Sequence, residues 1–303
     1  MPPVVSVSLS EPNDINKISP WDIDFRQIEA GPMKTSVTIQ PGKSVTLLQI
    51  SMSHAVHQTG TSPKGMLSVG LIKPRRVQHW QGSDTSSSHL LSFGSSDAFE
   101  GVSNSGFSGT TVSISESYAE NLADRLGLDV PDALRNSSDI DTNGGNGRLD
   151  VLRSKTEQVF ANSHLVKSAD DDEEIVGNLL LAANADRESS VRGGANARAR
   201  AVKTAIEFML ANDQENLPVS RICQETGVSW RSLNRAFMEK FGIGPKSYYL
   251  RLRLNRVRSE LLRQSGDALI SDVANDWAFW HLGQFARDYF KMFGELPSQT
   301  ISS

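Results

Sequence analysis

Trp230, Arg231, Ser232, Asn234 and Arg235 crowd one short stretch of the chain, and His281, Gly283, Gln284 and Arg287 form a second set closer to its end. Arginine and asparagine carry forked donors and acceptors that match the edges of guanine and adenine, so the chemistry on offer is base recognition. Arg256, in a run with Arg251, Arg253, Arg258 and Arg263, offers contact with phosphate. A third set lies in the first half: Lys73, Arg75 and Arg76, followed by His79 beside Trp80, and then Asn104. Three cations beside an aromatic plane can grip phosphate while stacking a base.

Other constellations are weaker. His54 and His57 have the spacing of a metal pair, but no third ligand stands out and the segment reads as a loop. Asp139, Asp141, Asn143, Gly144 and Asp150 occupy positions 1, 3, 5, 6 and 12 of a calcium loop; position 8 is Asn146 rather than an apolar residue, and the last ligand is a short aspartate. A connecting turn is the expectation there. No nucleophile elbow, phosphate-binding glycine loop or zinc-protease motif appears, so the chain reads as a binding protein with no catalytic or metal residues and no required cofactor.

The two base-reading sets sit in a repeat. Ile222, Gly227, Val228, Leu233, Arg235, Phe237, Phe241, Gly242 and Pro245 are answered by Val273, Ala278, Phe279, Phe285, Arg287, Tyr289, Phe293, Gly294 and Pro297. The offset is 51 residues before the turn and 52 after it, as two helix-turn-helix units with unequal turns require. In the first unit Pro218 to Thr226 predicts a supporting helix, Gly227 a left-handed turn, and Ser229 the N-cap of a second helix reaching about Lys240. Leu233, Phe237 and Phe241 share its buried side. In the second unit Phe279 and Trp280 are expected to pack. Between the units, Lys246 to Gln264 lacks glycine and proline, predicting a helix of about 28 Å that sets the two reading helices near one DNA turn apart.

From Leu217 to Ser303 these positions resemble the AraC/XylS transcription regulators. The stretch Ala278-Phe279-Trp280-His281-Leu282-Gly283-Gln284-Phe285-Ala286-Arg287-Asp288-Tyr289, then Phe293-Gly294-Glu295-Leu296-Pro297-Ser298, is similar to the second unit of one subgroup. Ala278 departs from the glycine usual before that phenylalanine. The resemblance implies promoter or operator DNA as partner, activation of transcription, RNA polymerase as a further partner, a small-molecule effector and a homodimer. It also implies a cupin-like β-barrel for sensing, followed by dimerising helices.

Charge divides the chain in the same way. Residues 198–303 hold 15 Lys and Arg against 11 Asp and Glu, a net of +4, whereas residues 1–197 hold 16 against 24, a net of −8. A modest basic excess means that affinity must come from geometry as well as counterion release. One cysteine, Cys223, excludes an internal disulfide and fits a reducing cytoplasm. No apolar run suggests a membrane span.

The overall expectation is therefore α+β: a sensory and dimerisation domain at 1–187, a linker at 188–197 and an all-α DNA-binding domain at 198–303. In the first domain, short strands are expected at Met33 to Gln40, Lys43 to Ile50, Met66 to Lys73, His89 to Phe93 and Thr110 to Ser115. Ser117 with Glu120 predicts a capping box opening a helix through Leu126, and further helices are expected near 151–166 and 172–186. The arginine-rich segment, followed by Asn104-Ser105-Gly106-Phe107-Ser108-Gly109, resembles the PilZ-type cyclic di-GMP site. It departs from that pattern in having His79 where a second arginine belongs and Gly106 in place of serine. The effector expected from this resemblance is cyclic di-GMP. An amine or a sugar is the alternative, and a constitutive DNA-binding protein without effector is a third reading.

Overall fold

The computed structural model describes residues 4–72, 77–85, 89–142, 146–161, 169–184, 197–264 and 269–302. Alternating apolar and polar residues in the first half fold as strands, because a pleated backbone sends successive side chains to opposite faces. They are β1 (Val5–Leu9), then, after α1 (Ile15–Ile18), β2 (Asp22–Gln27), β3 (Thr35–Gln40), β4 (Val45–Met52), β5 (Val56–Thr61) and β6 (Met66–Ile72). There follow β7 (Val77–Trp80), β8 (Ser83–Asp84), β9 (His89–Gly94), β10 (Ala98–Ser103) and β11 (Phe107–Ser115). Strand β12 (Ser137–Asp141) comes after α2 (Glu116–Leu126) and α3 (Asp132–Arg135).

One sheet runs in the order β1-β3-β4-β11-β6-β9-β12 and the other β2-β5-β10-β7-β8. The β-rich domain expected from the sequence is thus built as two sheets. β3 and β4, two of the expected strands, form a hairpin, pairing Thr35 with Met52 through Gln40 with Leu47. β5 and β10 carry glycine, which weakens a strand pattern, yet both glycines are required. A Cβ at Gly101 would lie 2.8 Å from the Trp80 ring, and one at Gly60 would lie 2.2 Å from the Asp22 carbonyl.

Helices α4 (Asn146–Ala161) and α5 (Ala169–Ala183) pack with α2 against the first sheet. Leu122, Leu152, Ile175 and Leu179 share one core with Leu67, Val69 and Val112. The capping box is not formed. The N-cap of α2 is Ser115, without a side-chain cap bond; the Ser117 hydroxyl pairs with that of Ser115, and Glu120 instead receives Arg135. The aspartates of the calcium-like spacing begin on a strand, not in a turn: Asp139 and Asp141 lie in β12, paired with Leu91 and His89 of β9. Asp139 Oδ2 is 2.7 Å from His89 Nδ1, while Asn143 and Gly144 lie outside the described residues.

The remainder is helical: α6 (Ala197–Ala211), α7 (Val219–Thr226), α8 (Trp230–Phe241), α9 (Pro245–Gln264), α10 (Ile270–Asp276), α11 (Leu282–Phe293) and α12 (Pro297–Ile301). The chain clusters into two units. One comprises Met1–Phe25, Lys34–Ser53 and Gln58–Gly193; the other comprises Arg26–Met33, His54–His57 and Gly194–Ser303. Most of the expected linker, 188–196, lies outside the described residues. No helix among the described residues is long and apolar enough to cross a membrane.

Candidate nucleic-acid interface

Each unit of the repeat presents the start of one helix to solvent. In the first, Gly227 closes α7 in the left-handed region at φ 65°, and Ser229 caps α8 by accepting the Ser232 backbone N–H at 3.3 Å. Leu233, Ala236, Phe237 and Phe241 are buried on one side of α8. Successive helical side chains turn by about 100°, so Arg231 and Arg235 face away from that side. Arg231, Ser232 and Arg235 are exposed, as is half of Trp230. Arg235 is held along the helix by Glu239, Nε to Oε1 2.8 Å. Asn234 is half-buried, with its carboxamide oxygen beside Gly244, where an added Cβ would meet it at 2.7 Å.

The second unit repeats this with other residues. Ala278 takes the left-handed position at φ 57°, and His281 is the N-cap of α11, without a side-chain cap bond. Phe285, Tyr289, Met292 and Phe293 are buried. His281, Gly283, Gln284 and Arg287 are exposed on the opposite side or at the helix start. Gln284 is oriented at both ends: its carbonyl accepts from Arg287 Nη2 at 2.9 Å, and its amide donates to Asp288 Oδ1 at 2.9 Å. The helix-start alignment pairs Arg231 with Gly283, Ser232 with Gln284, Asn234 with Ala286 and Arg235 with Arg287. Phe279 packs as expected, but Trp280 does not: its neighbour is 7% exposed and Trp280 itself is 64% exposed. Met238, Phe290 and Lys291 also lie on the outward faces and were not singled out from the sequence. The same helical period that placed Arg235 and Arg287 would have found them.

Helix α9 joins the units. At 20 residues it is about 30 Å long, close to the ~34 Å repeat of duplex DNA. Phe237, Phe241 and Tyr248 cluster where α8 meets it, in tilted and edge-to-face contacts with centroids 4.6 to 5.4 Å apart. Leu254, Val257 and Leu261 meet Phe285, Tyr289 and Phe293 farther along.

Its arginines do not form one solvated basic face. Arg253 is 6% exposed, stacked over Tyr249 and Phe279, and its Nη1 donates to the carbonyls of Glu215, Trp277 and Ala278 at 3.3 to 3.4 Å. Burial lowers the pKa of both Arg253 and Arg251 from the usual arginine value. Arg258 bonds Glu295, and Arg263 bonds Glu260. Arg256 is partly exposed, with Nε 3.1 Å from Asp213 Oδ2. Two buried phenols brace the same core: Tyr249 donates to the carbonyls of Asn212 and Glu215, and Tyr289 pairs with Thr300 at 2.8 Å. Desolvation pushes each hydroxyl up to about 12.

Of the other predicted ligand residues, Lys73, Arg75 and Arg76 lie outside the described residues. His79 is on β7, with Nδ1 2.8 Å from Asp84 Oδ1. Asn104 follows the end of β10, where Ser103 pairs with Val77. His57 begins inside β5 rather than a loop, and its Nδ1 is 2.6 Å from the Tyr248 hydroxyl; no group of three or more metal-ligating residues occurs among the described residues. A separate cavity in the β-rich unit is lined by Trp21, Phe25, Ile50, Trp80, Phe93 and Phe107, with Gln58, Thr110 and Thr111 as polar groups. It holds about 540 Å³ of space, including the part open to solvent.

The helix-turn-helix domain family matches residues 222–303. A "Probable thc operon regulatory protein" of Rhodococcus erythropolis is 28% identical over 60% of this chain and 57% of its own length. The "XylDLEGF operon transcriptional activator 2" of Pseudomonas putida is 31% identical over 40% of this chain and 75% of its own. Among solved structures, a "probable AraC family transcriptional regulator" from Rhodopseudomonas palustris CGA009 is 33% identical over 33% of this chain and 94% of that one, with a TM-score of 0.32. The chain spans 57% of the length of the Rhodococcus protein and 37% of that of a further Pseudomonas putida activator. The chain belongs to the AraC family of DNA-binding transcription regulators.

Proposed function

We propose that this chain is a ligand-responsive activator that acts in the cytoplasm as a homodimer on promoter DNA and engages RNA polymerase there. The observation that carries the DNA part is the pair of helix starts, α8 and α11, each presenting polar residues away from a buried aromatic side and joined by α9. Relatives are named as operon regulators and activators, which supports activation here.

For the effector, cyclic di-GMP remains the reading from the sequence, with phosphates met by Lys73, Arg75 and Arg76, and His79 and Asn104 beside them. The cavity favours a second reading. Its walls are aliphatic and aromatic, and none of its lining side chains is charged, so it suits a small apolar or aromatic metabolite better than an amine or a sugar. Calorimetry on the full chain separates the two. Heat with cyclic di-GMP that is lost in Arg75→Ala and Arg76→Ala supports the first. Silence with the dinucleotide, together with quenching of the cavity tryptophans Trp21 and Trp80 by indole-sized probes, supports the second. A chain that binds neither and activates its promoter regardless is the constitutive protein.

A further inference from the structure

The second turn of the repeat is one residue longer than the first, and the structure shows where that residue goes. From Gly227 to Ser229 the chain needs one intervening residue, Val228; from Ala278 to His281 it has two, Phe279 and Trp280. Phe279 turns inward as the counterpart of half-buried Val228. Trp280 is therefore the insertion, and it stands in solvent just before α11. Leu282, the first residue of that helix, is also exposed at 43%. Between the Leu282 and Gln284 side chains lies Gly283, which packing does not require: nothing lies within 4 Å of where its Cβ would be, and its φ is not positive. Glycine is a weaker helix former than alanine, yet here it leaves the start of α11 bare where α8 carries Arg231.

The two helix starts therefore differ in chemistry. The first offers Arg231, Ser232 and Arg235 behind one exposed apolar side chain, Trp230, the counterpart of Leu282. The second offers only Gln284 and Arg287 as forked groups, flanked by two large apolar side chains and a bare backbone. The one apolar feature of the major groove is the 5-methyl group of thymine. Resting on the DNA-binding reading above, we propose that Trp280 and Leu282 read thymine methyl groups, with Gly283 allowing the close approach, so that the second unit selects T-containing steps by apolar contact while the first, which lacks the inserted tryptophan and carries Arg231 in place of Gly283, reads mainly polar edges. Continuity decides the occupant: the apolar pair precedes Gln284 and Arg287 on the surface turned to DNA.

The test uses the full chain and a duplex it selects from a random pool. Each thymine of the bound site is replaced in turn by uracil, which removes only the methyl. One or two replacements on the side contacted by the second unit should weaken binding about 3- to 10-fold. Trp280→Ala should weaken binding to the thymine duplex by a similar factor and abolish the uracil penalty at the same position. Leu282→Ala should act in the same way on a neighbouring position. Penalties that are identical in wild type and Trp280→Ala overturn the proposal. So does unchanged DNA binding with lost transcription, which would assign Trp280 to a protein partner. Melting of Trp280→Ala checks that the fold survives, and a misfolded variant transfers the test to Leu282→Ala. If selection returns no bound duplex, the DNA-binding reading itself fails, and this proposal with it.

Discussion

Gly227 and Ala278 hold the same left-handed backbone position in the two turns, at φ 65° and 57°. Only glycine reaches that region freely, and an L-residue there costs roughly 1 to 2 kcal/mol. Space around Gly227 is open, so Gly227→Ala should cost about 1 kcal/mol through backbone strain alone. Ala278→Gly should relieve strain but loses a buried methyl and loosens the unfolded chain, leaving stability within about 1 kcal/mol of wild type. Thermal melting checks the asymmetry; equal losses from both changes would mean that the two turns are not equivalent.

Arg253 explains how the strained turn is tolerated. Its guanidinium ties the Trp277 and Ala278 carbonyls to that of Glu215, under two aromatic faces. Arg253→Lys keeps the charge but not the planar fork. We expect it to destabilise the helical unit by about 2 to 4 kcal/mol, from lost hydrogen bonds to a charged group and lost stacking. Urea titration followed by circular dichroism reads this. A loss below about 0.5 kcal/mol would place Arg253 among ordinary surface arginines.

Stability should fall at alkaline pH. The folded pKa of Tyr249 and of Tyr289 is raised to about 12, above the ordinary tyrosine value of 10. A raised pKa means that the stabilisation is complete below about pH 10 and is lost as pH rises through about 12. Tyr249→Phe and Tyr289→Phe should each flatten that loss while lowering stability at neutral pH. Melting scans from pH 7 to 12 decide it: wild-type and phenylalanine variants falling in parallel would contradict the assignment.

The helical half was legible because its signals are local. Apolar residues at helical spacing, Ser229 at an N-cap and Pro245 at a helix start need no knowledge of distant contacts. Strands β5 and β10 were missed because Gly60 and Gly101 answer to neighbours far away in sequence, the Asp22 carbonyl and the Trp80 ring. Arg253 was read only as one of a run of cations offered to phosphate for the same reason, since its partners lie on other segments. Trp280 was expected inside because tryptophan usually packs; only the extra turn residue, visible in the shift from 51 to 52, hinted otherwise. The apolar cavity was not foreseen, because it is assembled from strands of both sheets that no single window of sequence contains.

The central claim is that one chain reads DNA with two heads, α8 and α11, set apart by α9. Footprinting of the full chain on a promoter duplex tests it most directly. Each protomer should protect a pair of patches, centred about 10 base pairs apart on one face. Arg235→Ala should relax base preference in one patch and Arg287→Ala in the other, each weakening binding by about 1 to 3 kcal/mol. A single patch for each protomer, or a pair indifferent to both substitutions, would contradict it.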